Sequence, residues 1–121
     1  MVRRMFLGTE PLATSALSYA EYFSALNRKR RENALSRVAY RELARAFEAD
    51  WTRLQVVQLT ETVLRSARRL LERHELRAGD AVQLASALAM AGSVAVRFAS
   101  ADRRLAAAAA QQGLPVLEEI L

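Results

Sequence analysis

The chain has 121 residues, just over half of them apolar, so one domain with a real core and a modest stability margin is expected. It has no cysteine, which excludes disulfides, thiolate metal sites and cysteine nucleophiles, and no apolar run reaches the roughly 20 residues of a membrane helix. The formal net charge is +5, nearly all of it arginine (Lys29 is the only lysine), which favours a polyanionic or acidic partner unless it reflects only a compositional bias toward Ala and Arg.

Residues 1–8 hold Arg3 and Arg4 without a following apolar stretch, so they do not read as a signal peptide, and a cytoplasmic protein is expected. Residues 12–15 form a short β-like run after Pro11. A helix follows from Ala16 to about Arg31. Ser36 can cap a second helix that runs to about Asp50, with Val38, Leu43, Ala46 and Phe47 on one apolar side. Residues 54–59 are rich in Val and Leu and suit a buried strand. Thr60 can cap a third helix that reaches about His74. Gly79 and Asp80 open a fourth, from Ala81 to Ala91, which Gly92 stops. That helix is apolar on nearly every face and should be buried. Residues 94–99 form a third strand-like run. A fifth helix starts near Ala101, includes the run of five alanines at 106–110 and ends before Gly113. Residues 115–117 form a last short β-like run.

Every two successive strand-like runs are separated by at least one helix, which leaves room for parallel crossovers. The expected fold class is α/β: an open, mostly parallel sheet flanked by helices on both faces. There is no internal repeat and no Pro/Gly/Ser-rich linker, so residues 1–121 read as a single domain.

Most acids lie among arginines on amphipathic helices. Glu42, Glu48, Glu61, Glu72 and Glu75 read as solvated helix faces. Three others have small or apolar neighbours. Glu21 lies between Ala20 and Tyr22, where a carboxylate is costly unless it is paired, metal-bound or turned to water. Asp80 opens the apolar helix, either as an ordinary cap or at a cleft. Asp102 follows the third strand-like run, where α/β sheets bind ligands, and helix capping is again the plain alternative. Carboxylates gathered at such a cleft would bind Mg²⁺ or Mn²⁺, hard cations that prefer oxygen ligands and assist phosphodiester hydrolysis. No other catalytic arrangement competes. His74, among Glu72, Arg73 and Glu75, reads as a surface residue, and four scattered glycines make no phosphate loop.

These acids sit in three recognisable segments. Ala13-Thr14-Ser15-Ala16-Leu17-Ser18-Tyr19-Ala20-Glu21 resembles the second-strand-to-helix segment of PIN domains. Leu76-Arg77-Ala78-Gly79-Asp80-Ala81-Val82-Gln83-Leu84-Ala85-Ser86-Ala87 resembles the family's "LRAxDALHLA" segment. Phe98-Ala99-Ser100-Ala101-Asp102-Arg103-Arg104-Leu105 resembles its "F-x-[ST]-x-D-x-x-L" segment. Each is weak alone; three in the family's order cover nearly all of the chain. The nearest flavour is the VapC-like toxin of type II toxin–antitoxin pairs. The resemblance implies a Mg²⁺- or Mn²⁺-dependent endoribonuclease acting on structured RNA of the tRNA or rRNA class. It also implies a homodimer neutralised by a small antitoxin protein. Glu21, Asp80 and Asp102 would be its metal-site acids, and Arg103 and Arg104 would bind the RNA backbone.

The sequence departs from the family at three places. Gly79 stands where a Tyr is common and Gln83 where a His is frequent; slight effects are expected, since neither would hold the metal. The family also begins with a strand that ends in an Asp, followed by a helix, and here only residues 1–11 precede the second-strand motif, with Glu10 their sole acid. An upstream start, a shortened and catalytically incomplete module that binds antitoxin or RNA, and a strand supplied by a partner or swap are the open explanations. A basic DNA-binding protein built around Arg28-Lys29-Arg30-Arg31 is a remoter reading, and that run is expected to be a solvated turn.

Overall fold

The computed structural model describes residues 11–117, so the readings of residues 1–8 and of Glu10 lie outside the described residues. The elements run β1 (Ala13–Ser15), α1 (Leu17–Arg31), α2 (Arg37–Trp51), β2 (Gln55–Val57), α3 (Glu61–Arg73), α4 (Ala78–Ala91) and α5 (Arg103–Gln111). β1 and β2 pair in parallel, with Ala13 opposite Gln55, Thr14 opposite Val56 and Ser15 opposite Val57. One further backbone bond flanks the pair at each end: Gln55 N–H to the Leu12 carbonyl and Ala16 N–H to the Val57 carbonyl, both 2.9 Å. The fold is thus α/β with parallel strands, as the spacing of helices between strands required.

The sheet is narrower than expected among the described residues. The runs at 94–99 and 115–117 meet only at one parallel bridge, Phe98 with Val116. Pro115 lacks the N–H that would extend it. Its carbonyl accepts from Phe98 N–H at 2.7 Å, and Leu117 N–H returns to the Phe98 carbonyl at 2.7 Å.

Side chains set the starts of the helices. Ser36 and Thr60 have extended backbones, and their hydroxyls accept from Ala39 N–H (3.1 Å) and Val63 N–H (3.2 Å), satisfying amides that have no partner inside α2 and α3. α4 begins three residues before the expected Ala81, with Arg77 as the extended cap residue. Its C-terminus also differs in mechanism: Gly92 follows the helix with φ −66°, a right-handed conformation open to any residue. Gly113 has φ +88° just beyond α5, and there glycine is needed.

α4 is the axis of the core. Ala81 and Leu84 are fully buried, and Ala85 and Ser86 nearly so. Ser86 buries its hydroxyl by donating to the Val82 carbonyl at 2.8 Å, so that hydroxyl is not left unsatisfied. Around α4 pack Val63, Ala67 and Leu70 of α3, then Phe98, Leu105, Ala108 and Ala109 of the C-terminal part, and Leu114. α4 also touches β1, β2 and α1. The small residues Ala81 and Ala85 permit that many close neighbours.

α2 behaves otherwise. It packs chiefly on α1 and contributes no buried residue. Of the expected apolar side, Val38 is 65% and Leu43 41% exposed, Ala46 is exposed, and only Phe47 packs. The working stripe is Tyr40, Ala44, Phe47 and Trp51, at spacings of four, three and four. Tyr22 stacks on Phe47 at 3.9 Å, Tyr19 meets Trp51 edge-on at 5.3 Å and Phe23 meets Phe47 at 5.5 Å. The pair forms an aromatic-zipped hairpin beside the main core.

Leu84→Ala should destabilise the fold by about 2–5 kcal/mol, through lost burial plus a cavity. Val38→Ala should change it by under about 0.5 kcal/mol. Urea unfolding midpoints of the two variants test the assignment of core and hairpin surface.

Candidate active site

The strand-to-helix junction after β1 is held by its own hydroxyls. Ser15 is 1% exposed, and its Oγ accepts from Leu17 N–H at 3.1 Å, acting as the cap that Ala16 cannot provide. Thr14 Oγ1 and Ser18 Oγ share a hydrogen bond of 2.6 Å. These contacts fix the first turn of α1 at the carboxyl end of β1, the place where parallel sheets present ligand sites. Glu21 follows one turn later, exposed.

Glu21 leans onto the first turn of α4. Gln83 Nε2 donates to Glu21 Oε1 at 2.8 Å and to Ser18 Oγ at 2.7 Å. The other oxygen, Oε2, lies 2.5 Å from where a Cβ on Gly79 would stand. Only glycine lets the carboxylate lie there. Gly79 and Gln83, given little weight from sequence, are therefore the residues that touch Glu21. No local pattern could have revealed this, because the contacts join residues about 60 positions apart; the only signal was that both depart from the family's usual residues.

Asp80 is the next residue of α4, half-buried in its first turn, where the helix dipole favours negative charge. It is not the cap, and nothing among the described residues hydrogen-bonds its carboxylate. Glu21 and the turn bearing Asp80 are thus together. Asp102 has a different position. It is the cap of α5, exposed, and its Oδ1 accepts from Arg104 N–H (2.9 Å) and Leu105 N–H (3.2 Å). Among the described residues, no three His, Cys, Asp or Glu side chains are gathered closely enough to hold a metal ion. The donor chemistry of the three acids still suits a hard divalent cation, because each offers carboxylate oxygens. Arg103 and Arg104 stand exposed in the first turn of α5.

Glu61 pairs with Arg65, and Glu72 lies 3.9 Å from Arg68, both on the solvated face of α3. Glu48 instead accepts from the Tyr19 hydroxyl at 2.9 Å across the hairpin, a bond that raises the Tyr19 phenol above its usual pKa. It lines a groove of about 540 Å³ between α1 and α2 with Tyr19, Phe23, Tyr40 and Arg45. That groove has one carboxylate, already engaged, and offers no hydrolytic chemistry. His74 is half-buried rather than on the open surface, because its Nε2 lies 2.9 Å from Gln112 Nε2 where the ends of α3 and α5 meet. No helix of the described residues is long and apolar enough to cross a membrane.

Gly79→Ala should gain up to about 1 kcal/mol of helix propensity and lose a hydrogen bond of about the same size, leaving stability nearly level. The added methyl should nevertheless push Glu21 off Gln83. Gln83→Leu should break the same contact without the steric clash. Thermal unfolding, with NMR of the Gln83 side-chain amide in Gly79→Ala, separates the two effects; an unmoved amide signal would refute the close approach.

The model of the PIN domain matches residues 2–111. Two relatives from Mycobacterium tuberculosis are each 38% identical over 98 residues, which is 81% of this chain and 67% of the relative: ribonuclease VapC45 of strain CDC 1551 / Oshkosh and ribonuclease VapC49 of strain ATCC 25618 / H37Rv. No solved structure matches significantly. The three acid-bearing segments, their order, and the parallel α/β frame around them agree with those matches, and the chain belongs to the PIN domain family, on the side of its VapC-like ribonucleases.

Proposed function

We propose that this protein is a metal-dependent endoribonuclease of the toxin type, hydrolysing RNA phosphodiesters, with Glu21, Asp80 and Asp102 supplying oxygen ligands for Mg²⁺ or Mn²⁺. The observation that carries the reading is the Glu21 carboxylate held by Gln83 against Gly79, in the helix turn that also bears Asp80. Similarity to two proteins named ribonucleases supports it. When bound, the metal would acidify water and stabilise charge on the phosphate. The chain's own residues do the positioning. Gln83 fixes one oxygen of Glu21 and leaves the other at the helix turn. The N-terminal dipole of α4 favours the Asp80 anion and steadies it near further negative charge. Arg103 and Arg104 are exposed next to Asp102 and would hold the RNA backbone. Structured RNA of the tRNA or rRNA class, a small antitoxin protein, a homodimeric state and a cytoplasmic location complete the reading.

A second reading has its own support. Asp102 is engaged in capping, and no three potential ligands are gathered among the described residues. On that reading the chain is a catalytically incomplete PIN module that binds RNA or an antitoxin.

Incubation of structured RNA with Mn²⁺, using this chain and the longest in-frame product containing it, should yield cuts that chelation stops. Glu21→Gln and Asp80→Asn should each lower the rate by at least about 100-fold, the upper end of what outer-shell changes at metal sites do. Calorimetry should find Mn²⁺ binding weakened by Asp80→Asn. No cleavage by either protein, together with Mn²⁺ affinity indifferent to Asp80→Asn, would overturn the nuclease reading. Millimolar or absent Mn²⁺ binding favours the incomplete module.

A further inference from the structure

The net positive charge of this chain is concentrated in one stretch. Residues 28–45 hold seven of its 18 basic residues and two of its 13 acids, so the whole excess of +5 lies in that stretch and the remainder is neutral. The stretch is the tip of the α1–α2 hairpin: the last turn of α1, the turn that follows, and the first half of α2. Arg28, Lys29, Arg30, Arg31, Arg37, Arg41 and Arg45 are all exposed. None forms an ion pair among the described residues, whereas Arg65 and Arg68 of α3 both face acids on their own helix. Arg30 alone has an evident structural use, its guanidinium lying 4.9 Å from the centre of the Tyr40 ring. Holding that many like charges together destabilises the tip by self-repulsion, which a polyanion would relieve.

The tip leads to the candidate site. A shallow groove of about 400 Å³ runs along α1, lined by Ala20, Glu21, Ser24, Ala25 and Arg28. Glu21 and Arg28 are two turns apart on one face, about 10 Å along the axis at 1.5 Å per residue. A strand lying in this groove would meet the Arg28 fork while a neighbouring phosphate reached Glu21. Six of the seven cations are arginines, whose planar donors match phosphate oxygens.

We propose that the tip of the α1–α2 hairpin is the docking surface for the RNA backbone, with Arg28 the link between that surface and the carboxylates. This replaces the solvated-turn expectation for residues 28–31 and deepens the ribonuclease reading, on which it rests. An acidic protein could meet the same charges. RNA is favoured because the groove joins the charges directly to Glu21, and a partner that only covered the tip would have no reason to follow it.

The test measures binding in chelator, so that no cleavage contributes. Fluorescence anisotropy of this chain with a labelled stem-loop RNA is followed against NaCl. The variants are Arg28→Gln with Arg31→Gln, and Arg37→Gln with Arg41→Gln and Arg45→Gln; Arg30 is kept because of Tyr40. The control is Arg65→Gln with Arg68→Gln. Each hairpin variant should lose at least about tenfold in affinity, and the slope of log K against log salt should flatten by about 0.7 for each contacting arginine removed. The control should change less than about twofold. Equal affinities for hairpin variants and parent, or equal losses in the control, would overturn the proposal. So would hairpin variants that lose poly-glutamate binding while keeping RNA, since the surface would then serve an acidic protein. If RNA docks as described but nothing is cut with metal present, the nuclease reading falls and the docking surface stands; cleavage with unchanged binding in the hairpin variants gives the reverse.

Discussion

Burial of α4 is the constraint on which the rest of the molecule depends. A helix with Ala81, Leu84 and Ala85 out of water on successive turns has to be enclosed, and α3, α5, α1 and both strands enclose it. That enclosure fixes where its N-terminal turn emerges. The turn carries Gly79 and Asp80 and sits against α1, so Glu21 is presented to it by packing rather than by any local motif. Disturbing the core is therefore expected to act on the site indirectly, by moving the platform on which Glu21 rests. The apolar body of the helix and its polar first turn are two consequences of one placement.

The chain divides its tasks between two regions. The C-terminal helices, with Phe98 and Leu114, form the close-packed part. The α1–α2 hairpin is held by rings: Tyr22 on Phe47 and Tyr19 against Phe23 and Trp51. Aromatic stacking gives direction as well as burial, which suits α2, a helix with no buried residue that rests chiefly on α1. The arrangement also leaves the tip of the hairpin, residues 28–45, free to carry a concentrated positive charge. Like charges concentrated around buried α4 would weaken packing that the domain requires; on a protruding tip their fields spread into solvent, where salt screens them.

Much of the frame was legible from sequence because local physics decides it. Ser36 and Thr60 announce helix starts through hydroxyls that satisfy the amides three residues on, and they act so in the structure. The uniformly apolar run after Asp80 gave away its burial. What failed depended on distant partners. The run at 94–99 had strand composition, but a strand needs a ladder, and the neighbouring run with Pro115 gives it only one bridge. Val38 and Leu43 looked like a core face because periodicity cannot say whether a core lies opposite; the ring-bearing stripe of α2 took the contact with α1. At the candidate site, the small and apolar neighbours of Glu21 and Asp80 set these acids apart in the sequence, but nothing local announced the Gln83 bridge, whose partners are 62 residues apart.

Capping α5 does not remove the Asp102 carboxylate from chemistry. An ionised carboxylate has about four acceptor positions. The α5 cap uses two, both on Oδ1. Oδ2 keeps its acceptor capacity, and its direction is fixed because the cap holds the χ angles. Capping therefore orients the side chain and lowers the entropy that any later ligand would have to remove. It also sets a limit. With Oδ1 engaged, Asp102 can serve a cation through one oxygen but not in a two-oxygen clasp without breaking a cap worth about 1 kcal/mol. Asp102→Asn, which keeps a capping oxygen and loses the charge, would then preserve the helix and weaken any cation bound there, whereas Asp102→Ala would damage both.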